Sequence, residues 1–320
     1  MNNSLSKKNT LSISKFGIYI AFAAVFIIIS IATPNFLTGA NMMTVLRQIS
    51  FNGMVALGMT FIIITGGIDL SAGAMLCLAG LVSAHYSVSG AADESPILLA
   101  ILAGVGVAAL FGLINGLLIA KGKLPAFIVT MGIMTIIRGI SLVYSDGRPI
   151  TNLNDSYKAI GQGFVGVIPT PVVIFIVLIV LSVIVLHYSK FGRHVYAVGG
   201  NNRAAVAAGI NADRVRILAY VIGGVICGIA GVALTSRLNA ASPQAADGYE
   251  LDAIAAAVIG GCSLSGGRGN VLGTIIGALL IGVIGNGLDI LNVSSYYQQI
   301  VKGCIIVIAV FLDRKNNSEV

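Results

Sequence analysis

The chain is predicted to be an all-α membrane protein with about ten transmembrane helices. Three observations predict this. Of its 320 residues, 57% are hydrophobic and only 10% charged, where an average soluble domain carries about 25% charged residues. The mean hydropathy is +0.96. The apolar residues fall in repeated runs near the length that crosses a bilayer core, roughly 20 residues for about 30 Å. A soluble fold of this size could not hide so much apolar surface, so the bilayer itself must serve as the solvent.

Taken in order, residues 1–15 carry Lys7, Lys8 and Lys15 and read as a cytoplasmic tail. The apolar run from Phe16 to Ala32 is long for the core of a cleaved signal peptide. It also lacks a small-x-small site before Pro34, so it reads as an uncleaved first span. Together the spans are expected near 16–33, 50–65, 71–88, 97–120, 126–144, 169–187, 216–236, 252–265, 270–288 and 299–312. The membrane-spanning body is thus 16–312, with a cytoplasmic tail at 313–320. The second and eighth runs are short and end in Gly-Gly, which suits broken or re-entrant segments.

Charge chooses the orientation. With ten crossings and both termini inside, the cytoplasmic segments hold thirteen of the nineteen Lys and Arg: Lys7, Lys8, Lys15, Lys121, Lys123, Lys190, Arg193, Arg203, Arg214, Arg216, Arg268, Arg314 and Lys315. The outer loops hold Asp93, Glu94, Asp146, Asp155, Asp247, Glu250, Asp252 and Asp289. Lys and Arg translocate poorly, so the reverse orientation is disfavoured. The same distribution argues against reading the net charge of +7 as a nucleic-acid surface, because the basic residues mark the ends of apolar runs. The polar segments 145–168 and 237–251 are expected to build the outer face. Cys77, Cys227, Cys262 and Cys304 stand singly, which indicates neither a disulfide framework nor a zinc site.

The most polar island is 188–216, with Lys190, Arg193, Arg203, Arg214 and Arg216. It is expected to be a cytoplasmic loop that docks an energy-delivering partner; anchoring the topology is the plainer role for its cations. There is also an internal echo. Gly66-Gly-Ile-Asp-Leu-Ser-Ala-Gly73 resembles Gly260-Gly-Cys-Ser-Leu-Ser-Gly-Gly267, each after an apolar run and before a Gly-rich helix. Ile114-Asn-Gly-Leu117 likewise resembles Gly285-Asn-Gly-Leu288. These pairs predict a parallel internal duplication, the alternative being chance similarity of Gly-rich sequence. Interrupted helices at membrane depth are tolerated only where they are buried or line a cavity. Gly66, Gly67, Asp69, Ser71, Asn115, Gly260, Gly261, Ser263 and Asn286 are therefore candidates for a gate or translocation path. Asp69 has a plainer role as a cap of the third helix. Gly224/Gly228 and Gly273/Gly277 read as helix-packing pairs.

These residues resemble the permease subunit of bacterial ATP-binding-cassette importers of the ribose, xylose, arabinose and galactoside group, and the ribose type most closely. The resemblance is carried by Ala56-Leu-Gly-Met-Thr60 with Gly67-Ile-Asp-Leu-Ser71, Phe191-Gly-Arg193 with Ala197-Val-Gly-Gly-Asn201, Gly248-Tyr-Glu-Leu-Asp-Ala-Ile-Ala-Ala256, and Val293-Ser-Ser-Tyr-Tyr-Gln298. It runs from about residue 34 to the C-terminus. It implies a type II importer fold in the bacterial inner membrane and a permease homodimer. It also implies a cytoplasmic ATPase with two fused nucleotide-binding halves and a periplasmic or lipid-anchored sugar-binding protein. ATP and Mg would be held by that ATPase, with no cofactor in this chain. The general coupling signature, Glu-Ala-Ala-x-x-x-Gly, is matched by Arg203-Ala-Ala-Val-Ala-Ala-Gly209 with Arg in place of Glu. Arg193, Asn201, Arg203, Ala204, Ala205 and Gly209 are the coupling candidates that follow, with Gly209 suited to end a short helix.

Two other classes of function fit the sequence less well. An ion-coupled secondary transporter uses paired carboxylates near the midplane, whereas the acids here cluster at outer edges. A membrane enzyme would need a catalytic pattern. The chain has neither His-Glu-x-x-His nor Gly-x-x-x-x-Gly-Lys-Ser/Thr, so ATP hydrolysis is expected in a partner.

Overall fold

The computed structural model describes residues 3–318, with side chains for residues 17–311. Lys7, Lys8, Lys15, Arg314 and Lys315 lie outside the described side chains. In chain order the main helices are α1 (Asn3–Ala32), α2 (Gly39–Ile64), α3 (Ala72–His85), α4 (Ile97–Ala120), α5 (Ala126–Tyr144), α6 (Asp155–Gln162) and α7 (Thr170–Val183). After these come α8 (Lys190–Gly200), α9 (Asn202–Ala207), α10 (Ala212–Leu238), α11 (Tyr249–Ile259), α12 (Val271–Ile290) and α13 (Ser295–Ser318). A π-turn, Ile184–Tyr188, carries α7 onward to the start of α8.

Among the described residues, six helical stretches are long and apolar enough to cross a bilayer: α2, α4, α5, Thr170–Tyr188, α10 and α12. Gly17–Ala32, α3 and Ser295–Phe311 are shorter apolar stretches. Helix length alone therefore does not fix the count at ten. The second span is longer than its apolar run suggested, because α2 begins at Gly39 and not near residue 50. Its first half carries Asn41, Arg47 and Gln48, which mask it in a hydropathy reading. Two of the helices at expected spans are short: α3, with 14 residues, and α11, with 11. At 1.5 Å per residue, α11 rises only about 16 Å, half a bilayer core.

The helix α2 is the hub. It touches α7, α10, α11 and α12, and every residue from Ile49 to Ile64 is buried. A helix that is apolar all round belongs in such a position. Glycine lets its neighbours close in. On α10, Gly224 abuts the backbone of Ala108 and Gly228 that of Val105 on α4. On α12, Gly273 abuts the Gly260 carbonyl and Gly277 that of Ala256 at the end of α11. Both predicted small-residue pairs are thus packing devices.

The end opposite α8 and α9 is closed by the segments expected to form one face. Two-residue strands β1 (Ile150–Thr151) and β4 (Ala240–Ala241) pair antiparallel, Ile150 opposite Ala241. Between them in sequence, β2 (Phe164–Val165) and β3 (Ile168–Pro169) form a hairpin. Arg47 lies 4.8 Å from the Phe164 ring centroid, and Arg237 lies 5.5 Å from that of Phe51. Arg138 donates to the Ala245 carbonyl at 2.7 Å and stands 3.7 Å from Asp247. At this exposed end the Lys158 hydrogen bond holds the Asp155 carboxyl below the usual carboxylate range.

Candidate functional site

The two Gly-Gly turns, far apart in sequence, meet. Helix α2 ends at Ile64 and turns through Gly66, whose φ of +80° is open to glycine at no steric cost. The second turn follows α11 with Gly261, Gly266 and Gly267 at φ +94°, +84° and +73°. The Gly267 N–H donates to the Ile64 carbonyl at 2.8 Å. Gly199, near the end of α8, packs against that same carbonyl and against the Gly267 backbone. The Tyr196 hydroxyl of α8 donates to the Gly269 carbonyl at 2.9 Å. One layer therefore joins the end of α2, the α11–α12 turn and the basic helical loop. Gly66, Gly67, Gly260, Gly261 and Ser263 belong to it. The Ser263 N–H closes the turn on the Arg268 carbonyl at 3.0 Å.

Asp69, Ser71 and Asn115 form a second, fully buried cluster beside it. The Asp69 carboxylate accepts from the Ser71 N–H at 2.8 Å and from the Ser71 hydroxyl at 2.6 Å. The Asn115 amide donates to the Ser71 oxygen at 2.8 Å, and the Tyr220 hydroxyl donates to the Ile68 carbonyl at 2.9 Å. Asp69 is not the cap expected of it: the N-cap of α3 is Ser71, with no side-chain cap, and Asp69 instead takes the Ser71 N–H in an Asx turn that fixes the unwound entry to the helix. Asp69 Oδ2 and Asn115 Oδ1 have no hydrogen-bond partner among the described residues. Asn286 is not brought to this cluster. It exchanges amide hydrogen bonds with Asn41 at 2.9 and 3.0 Å, stapling α12 to the start of α2. The Gly-Gly echo thus has a spatial counterpart, while the two Asn-Gly units occupy unlike settings.

The loop 188–216 folds as α8 and α9, set at right sites by local caps. Ser189 accepts from the Gly192 N–H at 3.1 Å, Asn201 from Ala204 at 3.0 Å and Asn211 from Arg214 at 3.0 Å. Asn201 is therefore the N-cap of α9. Gly209, at φ +83°, ends it: the Ile210 N–H donates to the Ala205 carbonyl at 3.0 Å and the Gly209 N–H to Val206 at 2.9 Å. That pair of bonds is a Schellman turn. Ala205 is buried, whereas Arg193, Arg203, Ala204 and Gly209 are exposed. Val206 adds an apolar side chain to the outer face of α9, 55% exposed. The result is a small, nearly smooth helical surface flanked by cations.

Sequence reasoning did not bring together the polar group at the opposite end. Lys302 of α13 pairs with Asp252 of α11 at 2.7 Å, with the Asp252 side chain only 4% exposed. Glu250, Gln298 and Gln299 line the same cavity. A signal was present: Gln298 and Lys302 lie four apart in α13, hence on one face. Among the described residues no group of three or more His, Cys, Asp or Glu could hold a metal ion.

Comparison with known proteins decides the family. A family profile described as the permease component of branched-chain amino acid transport systems matches residues 41–310. The chain belongs to this permease family. It is 48% identical to the ribose import permease of Bacillus subtilis (strain 168), over 95% of this chain and 94% of that protein. It is 42% identical to the ribose import permease of Escherichia coli (strain K12), over 92% of each. With the D-allose transport system permease of E. coli (strain K12) it shares 38% identity, over 94% of this chain and 91% of the relative. No solved structure matches the chain. Its family and the six long apolar helices among the described residues make this transport permease a multi-pass membrane protein.

Proposed function

We infer that the chain is the membrane-spanning subunit of an ATP-binding-cassette importer that carries D-ribose across the bacterial inner membrane. The observation that carries this reading is the near full-length similarity to ribose import permeases. The packing of α8 onto both Gly-Gly turns, with α9 packed on α8, supports a mechanical role for the basic loop. In this reading both termini and α9 face the cytoplasm, following the Lys and Arg distribution. Two copies of the chain form the pathway. A cytoplasmic ATPase with two fused nucleotide-binding halves holds ATP and Mg. A periplasmic or lipid-anchored binding protein delivers the sugar to the acidic end. Arg193, Arg203, Ala204 and Val206 meet the ATPase, while Asn201, Ala205 and Gly209 shape the helix that meets it. ATP-driven closure of the ATPase moves α9, α8 passes the movement to the layer at Ile64 and Gly267, and access alternates. Gly66, Gly67, Gly260 and Gly261 form the inner constriction, with Asp69, Ser71 and Asn115 holding α3 behind it.

The test is reconstitution of the chain with its ATPase and binding protein in proteoliposomes. Ribose uptake is expected to require ATP on the cytoplasmic side and the binding protein outside. It should survive dissipation of proton and sodium gradients. Uptake that follows an ion gradient and ignores ATP overturns the reading in favour of an ion-coupled carrier.

A further inference from the structure

The turn between α4 and α5, the N-terminal part of α10 and the end of α2 enclose a cavity of about 250 Å³. Its charged wall is Lys123 and Arg216, and no acid is among its described lining residues. Thr65 and Tyr220 also line it, but their hydroxyls already donate to the carbonyls of Ile62 and Ile68. The two cations are less committed. Lys123 gives one donor to Asp213 at 2.7 Å, in an exposed pair, and an ammonium has three. The half-buried Arg216 guanidinium makes no hydrogen bond or ion pair with any described residue. A cation that merely anchored the topology would reach out to water, whereas this one lines a cavity. The start of α5 adds to the positive character. Ala126 borders the cavity, and no side chain caps that helix, so its first amides are open donors.

What fits such a wall is an oxyanion. A guanidinium presents paired N–H donors that match two oxygens of a phosphate, and an ammonium adds a point charge beside it. The surroundings say which kind of phosphate compound. Leu124 lines the cavity and is itself exposed. Exposed Phe127 and Ile128 follow it on α5, a helix long and apolar enough to cross a bilayer. The charged cavity therefore opens onto an apolar surface, the profile that a headgroup above acyl chains requires. Basic pockets between spanning helices on the cytoplasmic side suit anionic lipids. We propose that this cavity holds the phosphate of an anionic phospholipid of the cytoplasmic leaflet. Arg216 pairs with its oxygens, Lys123 stands beside it, and the acyl chains run along α5. The headgroup ties the α4–α5 turn and α10 to the Gly66 turn. The choice of leaflet rests on the orientation inferred above; the binding does not.

The experiment uses the purified full-length chain in mild detergent, stripped of lipid and titrated with dioleoyl phosphatidylglycerol or dioleoyl phosphatidylcholine. Bound lipid is counted by native mass spectrometry. Phosphatidylglycerol is expected to bind at least tenfold tighter than phosphatidylcholine. R216Q is expected to weaken phosphatidylglycerol about tenfold, in line with the loss of hydrogen bonds from a charged group, and to leave phosphatidylcholine unchanged. K123Q is expected to weaken it severalfold, and this exposed position keeps the test decisive if R216Q fails to fold. Equal binding of the two lipids, or phosphatidylglycerol binding unchanged by both substitutions, overturns the site. Glycerol 3-phosphate separates the two sources of a phosphate group. It is expected not to displace the lipid, and displacement at matched concentration overturns the lipid assignment in favour of a soluble phosphate ester. The readout is binding and not import, so its failure leaves the importer reading standing.

Discussion

Gly209 and Lys302 show how single residues act in this protein. Nothing lies near a Cβ added at Gly209, so space does not require the glycine; its φ of +83° does. Gly209→Ala is expected to cost about 1 kcal/mol and to leave import largely intact. Gly209→Pro cannot adopt that φ and removes the N–H given to Val206. It is expected to abolish import and binding-protein stimulation of ATP hydrolysis while the chain still reaches the membrane. Uptake assays beside membrane fractionation check this, and normal uptake would remove Gly209 from the coupling path. Lys302 neutralises a carboxylate that is almost wholly buried. Lys302→Met is expected to lower stability by about 3 kcal/mol, because it leaves Asp252 charged and alone. Adding Asp252→Asn should recover much of that loss, and thermal melts in detergent of both singles and the double measure it.

Among the helices, α9 and the α11–α12 pair do contrasting work. The outer face of α9 is stabilised by its own caps, so a change there should alter docking and not folding. Val206→Glu places a charge on a small-residue surface and is expected to reduce co-purification of the ATPase at least tenfold without shifting the melting temperature. Retained ATPase would show that α9 is not the contact. The α11–α12 pair is the reverse case. Gly277 lies directly on the Ala256 carbonyl, and a branched side chain must push the helices apart. Gly277→Val is expected to cost about 3 kcal/mol through overpacking, visible as earlier unfolding in detergent. The short α3 and α11 depend on such contacts, since helices of 14 and 11 residues have little stability of their own.

Across the full fold, charge separates the two ends. Lys121, Lys123, Lys190, Arg193, Arg203 and Arg214 all lie at turns or helices on the side of α8 and α9. The β-strand pairs and most acids lie on the other. Cysteines introduced at Val206 and Val167 test the orientation, because Val167 is 78% exposed on the opposite end. An impermeant maleimide applied to intact cells is expected to modify the Val167 cysteine and to spare that at Val206 until the membrane is opened. The opposite pattern would invert the topology and end the coupling assignment.

Most of the helical architecture was legible because bilayer crossing is a local property. A run of apolar residues is stable in lipid whatever its neighbours are, so α4, α5, α7 and α10 stand out from hydropathy alone. The Gly209 turn was legible for a similar reason, since a left-handed residue just past a short Ala-rich helix constrains only its own backbone. The beginning of α2 was hidden, because Asn41 and Arg47 find their partners in Asn286 and Phe164, more than a hundred residues away. The same holds for the Ile64–Gly267 hydrogen bond, the Asp252–Lys302 pair and the fit of Glu250 over Gly73. Each satisfies a polar group through a contact that exists only once distant helices are packed, and no periodicity along the chain can encode which pair will meet.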